Sequence, residues 1–171
     1  MLCESVIVAE RIYNVLFLCT HNSARSIMAE VLLNDLEKGR LRGFSAGSTP
    51  GTAPNPLALE TLARLHLATD GLRSKGWDEF AAEDAPVMDF VITVCDNAAG
   101  EVCPVWPGKP ITAHWSVEDP SLFQGSDDDK RGKFAQVAGI LNRRIQLFAN
   151  LPLATLERRA LETKVRDIGH A

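Results

Sequence analysis

The sequence predicts an α/β fold, a three-layer sandwich in which helices cover both faces of a central four-stranded parallel sheet. Three observations predict it. Short apolar runs alternate with longer segments of helical period, the order expected of a parallel sheet with crossover helices. The first run, Tyr13 to Leu18, is apolar at nearly every position, as a strand buried on both faces should be. No internal repeat or linker divides the 171 residues, so residues 1–171 read as one domain with a substantial core.

Each element has its own signal. After the strand Tyr13–Leu18, a helix starts at about Arg25. Its apolar stripe is Ile27, Met28, Val31, Leu32 and Leu36, and Gly39 supplies a stop. Gly43 to Ala46 reads as a second strand closed by Gly47. Asn55 or Pro56 opens a helix through Leu57, Leu59, Leu62, Ala63 and His66. Asp89 to Val94 is a third strand that ends at Cys95, and Lys109 to His114 a fourth. The polar stretch Gln124 to Gly132 reads as a solvated loop, followed by a long amphipathic helix from Phe134 to Leu151 that Pro152 breaks. Leu153 to Val165 reads as a final helix. Residues 1–12 form an N-terminal extension and residues 152–171 an extra C-terminal helix.

Composition narrows the function classes. Hydrophobic residues make up 46% and charged residues 23%, ordinary values for a soluble globular protein. A net charge of −4 gives no basic surface for nucleic acid. No apolar run reaches the roughly 18–20 residues that cross a bilayer. The N-terminus lacks a basic region ahead of its apolar residues, and Glu4, Glu10 and Arg11 interrupt them, so it does not read as a signal peptide. A cytoplasmic location follows as the expectation. There, four cysteines are catalytic, redox-active, metal-bound or simply buried rather than a disulfide framework.

The chemistry concentrates in Asn14-Val15-Leu16-Phe17-Leu18-Cys19-Thr20-His21-Asn22-Ser23-Ala24-Arg25-Ser26. Cys19 and Arg25 bracket a five-residue loop between a buried strand and a helix. Backbone N–H groups of such a loop form an anion-binding concavity, here residues 20–26 (Thr20, His21, Asn22, Ser23, Ala24, Arg25 and Ser26). The Arg25 guanidinium offers a planar fork for two oxygens of a tetrahedral oxyanion. The same field is expected to lower the Cys19 pKa and favour its thiolate, with Ser26 donating to the sulfur. Asn22 is a residue type that tolerates the left-handed backbone that a glycine-free loop needs. The G-x-x-x-x-G-K-[ST] nucleotide loop is missing. A zinc site is disfavoured too, because no C-x2-C pair or matching histidine spacing is present.

VLFLCTHNSARSIMAE resembles the phosphate-binding loop of the low-molecular-weight protein tyrosine phosphatases and, more narrowly, of the arsenate reductases built on that fold. Ser45-Ala46-Gly47 resembles that family's SAG segment. His114-Trp115 with Glu118-Asp119-Pro120 resembles its acid loop. The likeness runs from about Tyr13 to Leu151. It implies that Cys19 is the nucleophile and that Asp119, in a mobile Asp-Pro loop, protonates the leaving oxygen.

A phosphatase needs only Cys19, Arg25 and Asp119, whereas this chain adds Cys95 and Cys103. The resemblance to the thioredoxin-linked reductases implies a relay. Cys19 attacks arsenate, Cys95 attacks Cys19 and releases arsenite, and Cys103 takes over the disulfide for export to thioredoxin or glutaredoxin. Gly100 would help the 95–103 segment change shape. Phosphate and sulfate are expected as competing anions, with no tightly bound cofactor. The alternatives are a low-molecular-weight phosphatase and a redox or arsenical-binding module without turnover. Phosphatases of this fold follow the acid loop with aromatic residues for phosphotyrosine, and the resemblance implies that Phe123 could supply half of such a platform.

The sequence departs from the family in places. His21 stands where many relay reductases carry glycine, and Ala24 where they carry a further cysteine. The Cys95–Cys103 spacing is one residue longer than in the best-known members. Some members hold potassium near the loop, and the roughly matching oxygen donors are Asn22, Glu30, Ser45 and Asp78. Cys3 lies outside the resemblance.

Overall fold

The structure, a computed structural model, describes residues 11–96 and 104–171. Strands β1 (Tyr13–Cys19), β2 (Leu41–Gly47), β3 (Phe90–Thr93) and β4 (Ile111–His114) form one parallel sheet in the order β2-β1-β3-β4. β1 pairs with both β2 and β3, so successive crossovers leave it in opposite directions. A crevice opens outside the carboxyl ends of β1 and β3, where ligands bind in open α/β sheets. The register sets Cys19 opposite Gly47 on one side and Leu18 opposite Thr93 on the other, and Thr93 opposite His114. Cys19 and Cys95 therefore flank that crevice.

Burial follows strand alternation. Val15 and Phe17 point into the larger core with Phe90, Ile92, Ile111 and Ala113. That core is roofed by α1 (Arg25–Leu36), α2 (Pro56–Arg64), α4 (Asp127–Ala149) and α5 (Arg158–Ile168). Leu16, Leu18 and Val91 point to the other face, where a smaller core holds Phe80 of α3 (Asp78–Ala81), Met88 and Trp106. Among the described residues helical cover is thus unequal, with one short helix on the second face. No helix among the described residues is long and apolar enough to cross a membrane.

Several boundaries differ from the sequence expectations, and three of the differences have a plain local reason. The expected solvated loop over Gln124–Gly132 is largely the start of α4. The Ser126 side chain accepts from the Asp129 N–H while the Asp129 carboxylate accepts from the Ser126 N–H, and three aspartates favour a helix N-terminus. The helix expected to run through His66 ends at Arg64, and His66 adopts a left-handed φ of 61°. The last helix starts at Arg158 rather than Leu153. Residues 152–157 form turns in which Pro152 O accepts from Thr155 and Leu156.

α5 closes the core beside β4. Leu161, Val165 and Ile168, spaced four and three residues apart, make its buried face. The Trp115 indole, fully buried, donates from Nε1 to Val165 O at 2.8 Å and packs against Phe17 and Phe148. Arg144 of α4 donates to Ser116 O at 2.9 Å and to the C-terminal Ala171 O at 3.4 Å. The segment after β4 is therefore fastened from two helices, which steadies the loop that carries Asp119.

Candidate active site

β1 ends at Cys19, which is buried and is a free thiol. The chain then loops through residues 20–24 into α1. Neighbouring groups take the loop carbonyls from outside: Cys19 O accepts from Ser48 N, Thr20 O from Thr49 N, His21 O from Gly51 N and Ser23 O from Asn55 N. The Ser74 hydroxyl takes Asn22 O at 2.7 Å. In a planar trans peptide the N–H points opposite to the carbonyl of the preceding residue. Five carbonyls drawn outward therefore turn the N–H groups of residues 20–24 toward the loop centre. This cradle, at the N-terminus of α1, suits a tetrahedral oxyanion.

Asn22 holds the turn with φ 47°, the left-handed conformation expected of it. Gly47 lets β2 come close, since a Cβ there would stand 2.5 Å from Thr20 O and 2.9 Å from Asn22 N. His21 is exposed, and its Nδ1 lies 3.0 Å from Thr49 O. A carbonyl can only accept, so Nδ1 carries the proton.

The Cys19 sulfur lies 2.8 Å from Ser26 Oγ, which is itself 2.8 Å from Asn22 Nδ2. The amide donates to the serine oxygen, and the serine proton then points to the sulfur whenever Cys19 is a thiolate, which can only accept. Burial is the largest influence on the thiol and pushes its pKa up. The Ser26 side chain, the Ser26 backbone N–H and Arg25 pull it down, and Cys95 adds a smaller upward push. The net direction is upward, the reverse of the sequence expectation. The expectation counted the donors around the sulfur, whereas in the structure the sulfur is buried and desolvation outweighs them.

Arg25 opens α1 and reaches across the site. Its NH1 donates to Val117 O at 3.1 Å and its NH2 lies 3.4 Å from Asp119 Oδ2. Asp119 Oδ1 accepts from the Ser121 N–H at 2.9 Å and the Ser121 hydroxyl at 2.6 Å, capping the 3-10 turn Pro120–Leu122. The carboxylate thus stands beside the guanidinium at the mouth of the loop. Phe123 is partly exposed, with the Lys133 ammonium 5.5 Å from its ring centre. Lys133 is also paired with Glu118.

Cys95, after β3, is buried, with its sulfur 3.6 Å from the Thr20 hydroxyl of the loop. The structure therefore brings Cys19, Arg25, Asp119 and Cys95 to one crevice. Cys103, Gly100 and Cys3 lie outside the described residues. Asp96 contacts His114 at 2.8 Å, and the other ring nitrogen of His114 meets Thr93 at 2.7 Å.

Of the four oxygen donors matched to a potassium site, three gather and one does not. Ser45 donates to Glu30 Oε2 at 3.2 Å, and Asn22 Oδ1 is nearby through a shared partner. Asp78 opens α3 and is exposed, with no hydrogen bond or ion pair to that cluster. The shared partner is the Lys75 ammonium, 3.3 Å from Ser45 Oγ, 3.5 Å from Asn22 Oδ1 and 3.2 Å from Arg73 O. A cation already stands among these oxygens, so the set does not fit a potassium ion. Lys75 was not legible in the sequence, because Ser74-Lys75-Gly76 carries no motif. Only the docking of that segment on β2 places it, through Gly47 N to Lys75 O at 2.9 Å and Trp77 N to Gly47 O at 3.0 Å.

A cysteine and an arginine around a cradle of N–H groups, with an aspartate at its mouth, define an enzyme class that works by thiolate attack on tetrahedral oxyanions. The family described as low molecular weight phosphotyrosine protein phosphatase matches residues 14–162, and the chain belongs to that family. Among its relatives is an arsenate reductase of Halalkalibacterium halodurans. It is 32% identical over 135 residues, or 79% of this chain and 94% of that protein. A glutaredoxin arsenate reductase of a Synechocystis species is 28% identical over 77% of this chain and 92% of its own length. A solved arsenate reductase in its oxidised state superposes with a TM-score of 0.64 at 26% identity, covering 79% of this chain and 95% of that one. The thioredoxin-dependent arsenate reductase of Corynebacterium glutamicum gives 0.54 at 28% identity, covering 82% of this chain and 65% of that one.

Proposed function

We propose that the protein reduces arsenate to arsenite through its own thiols and is recycled by thioredoxin. One observation carries this reading beyond a phosphatase: a second buried cysteine, Cys95, touches the Cys19 loop from the adjacent strand end. Hydrolysis of a phosphoester makes no use of it, whereas thiol exchange needs it near the first sulfur.

The proposed steps use the geometry of Cys19, Arg25, Asp119 and Cys95, and the step at Cys103 rests on the family resemblance. Arsenate, in competition with phosphate and sulfate, sits in the inward N–H groups with Arg25 on two of its oxygens. The Cys19 thiolate forms an S–As bond as an As–O bond breaks. Asp119 protonates the departing oxygen, which leaves as water. Cys95 then attacks the Cys19 sulfur. The S–As bonding pair passes to arsenic, which leaves as arsenite, and a Cys19–Cys95 disulfide remains. Cys103 attacks Cys95, frees Cys19 and closes a Cys95–Cys103 disulfide for reduction by the thioredoxin dithiol. We assign thioredoxin over glutaredoxin on the likeness to the Corynebacterium enzyme, while the Synechocystis relative keeps glutaredoxin as the second arm of the test. We assign the cytoplasm, where such thiols are kept reduced.

The test is NADPH oxidation with thioredoxin, thioredoxin reductase and arsenate, run beside a glutathione–glutaredoxin mixture and beside aryl phosphate hydrolysis. Arsenate-dependent NADPH loss that disappears in Cys19→Ser, Cys95→Ser and Cys103→Ser is expected. Fast aryl phosphate hydrolysis that survives Cys95→Ser, without arsenate-dependent NADPH loss, would overturn the proposal in favour of a phosphatase. Arsenite binding with neither activity would overturn it in favour of a binding module.

A further inference from the structure

We propose that Lys75 is a positioning residue whose ammonium serves as a built-in cation for the Cys19 loop, standing where a monovalent metal ion would otherwise be held. The inference concerns the loop of the proposed reductase and rests on Cys19 being its nucleophile.

The contacts run in one direction. The Lys75 backbone N–H donates to Asn22 Oδ1 at 3.0 Å, and its ammonium lies 3.5 Å from the same oxygen. With both donors on the amide oxygen, the Asn22 NH2 must face Ser26, at 2.8 Å. Ser26 keeps its one proton for the Cys19 sulfur, 2.8 Å away, and gives it when that sulfur is a thiolate. Lys75 thus fixes which way the asparagine amide points and, through it, which way the serine hydroxyl points. The chain of donors ends on the atom that must carry negative charge.

The ammonium also balances a half-buried acid. It donates to Ser45 Oγ at 3.3 Å, and Ser45 donates to Glu30 Oε2 at 3.2 Å. Burial pushes Glu30 up and Lys75 down, while each charge favours the ionised form of the other. The Cys19 charge also favours the lysine cation. Two side-chain oxygens and the Arg73 carbonyl therefore surround a positive group tethered to the backbone, with the Glu30 carboxylate one hydrogen bond further out through Ser45. A tethered charge pays no association cost, so the loop keeps its cation at any potassium concentration. Removal of the side chain to Cβ leaves the oxygens and the Glu30 charge with a space that a free cation can enter.

The test reads Cys19 alkylation by iodoacetamide at fixed pH and ionic strength, together with thermal melting, in potassium chloride and in tetramethylammonium chloride. Neither readout involves arsenate, so failure here leaves the reductase proposal standing. The wild-type protein should give the same rate and melting temperature in both salts. Lys75→Ala should alkylate at least threefold more slowly in tetramethylammonium and recover saturably as potassium or methylammonium is added. Lys75→Met, which fills the space without charge, should be slowed and gain nothing from either cation. A purely packing role would be met by methionine and would give no cation dependence in alanine. Saturable potassium stimulation of the wild-type protein overturns the proposal, and so does Lys75→Ala with wild-type rate in both salts. If Lys75→Ala does not fold, the wild-type arm and Lys75→Met still decide: potassium response in the first or full-rate alkylation in the second overturns it.

Discussion

Gly47→Ala should damage the oxyanion loop while leaving the sheet in place. Gly47 ends β2 directly opposite Cys19, and a methyl group there would stand 2.5 Å from Thr20 O, 2.9 Å from Asn22 N and 3.0 Å from Thr20 C. All three are backbone atoms that no side-chain rotation can move aside. Relief requires the loop to withdraw by about 1 Å, the shortfall from an ordinary carbon–oxygen contact. Overpacking of this kind costs about 1–3 kcal/mol. The withdrawal also turns the Thr20 carbonyl and the His21 N–H bonded to it, and a displacement of ~1 Å at a reacting centre costs about 10²-fold in rate. Gly139→Ala is the control, since nothing lies within 4 Å of a Cβ at that exposed helical position. It should be neutral or stabilising by up to about 1 kcal/mol. The assays are thermal melting, protection of Cys19 from alkylation by phosphate, and arsenate turnover. Gly47→Ala with wild-type phosphate protection and turnover would refute the reasoning that the close β2 approach shapes the loop.

Ser26→Ala removes the hydroxyl that donates to the Cys19 sulfur, so the thiolate loses stabilisation and the alkylation–pH curve should move to higher pH; an unmoved curve contradicts that assignment. Asp119→Asn keeps the shape of the acid-loop turn but not the proton, and turnover should fall by about 10²–10⁴-fold while phosphate protection of Cys19 persists. Trp115→Phe leaves Val165 O without its indole donor in the core, at a cost of about 1–3 kcal/mol. Each kcal/mol is worth about 2–4 °C in a chain of this size. Melting should drop by several degrees, and an unchanged melting temperature would show that the α5 contact is dispensable.

The sequence carried those features that local rules encode. Tyr13–Leu18 reads as a buried strand because its run is apolar on both faces, and β1 covers it with one residue added at Cys19. Asn55 and Pro56 announce α2, and the Asn55 side chain does accept from the Leu57 N–H at 2.9 Å. The start of α4 was read as a solvated loop because it is polar and acidic, and the Ser126–Asp129 capping pair, whose serine hydroxyl and aspartate carboxylate each satisfy a backbone N–H, makes it helix. Cys19 and Arg25 were legible because their spacing falls between a buried strand and an amphipathic helix, and β1 and α1 do end and begin at them. Lys75 was hidden because its role comes from a pairing between Gly47 and Gly76, residues 29 positions apart that a one-dimensional pattern does not connect. The direction of the Cys19 shift was missed for a related reason. The donors around the sulfur are local and readable, while the burial that outweighs them is a property of the closed site.

The most direct test of the thiol relay is a single turnover without external reductant. One equivalent of arsenate is added to the fully reduced protein, and arsenite and disulfides are measured after acid quenching by mass spectrometry. The account predicts one arsenite per chain and a Cys95–Cys103 disulfide with Cys19 returned to the thiol, while Cys95→Ser yields no arsenite. Arsenite formation at the wild-type level in Cys95→Ser, or no arsenite from the wild-type chain, would contradict it.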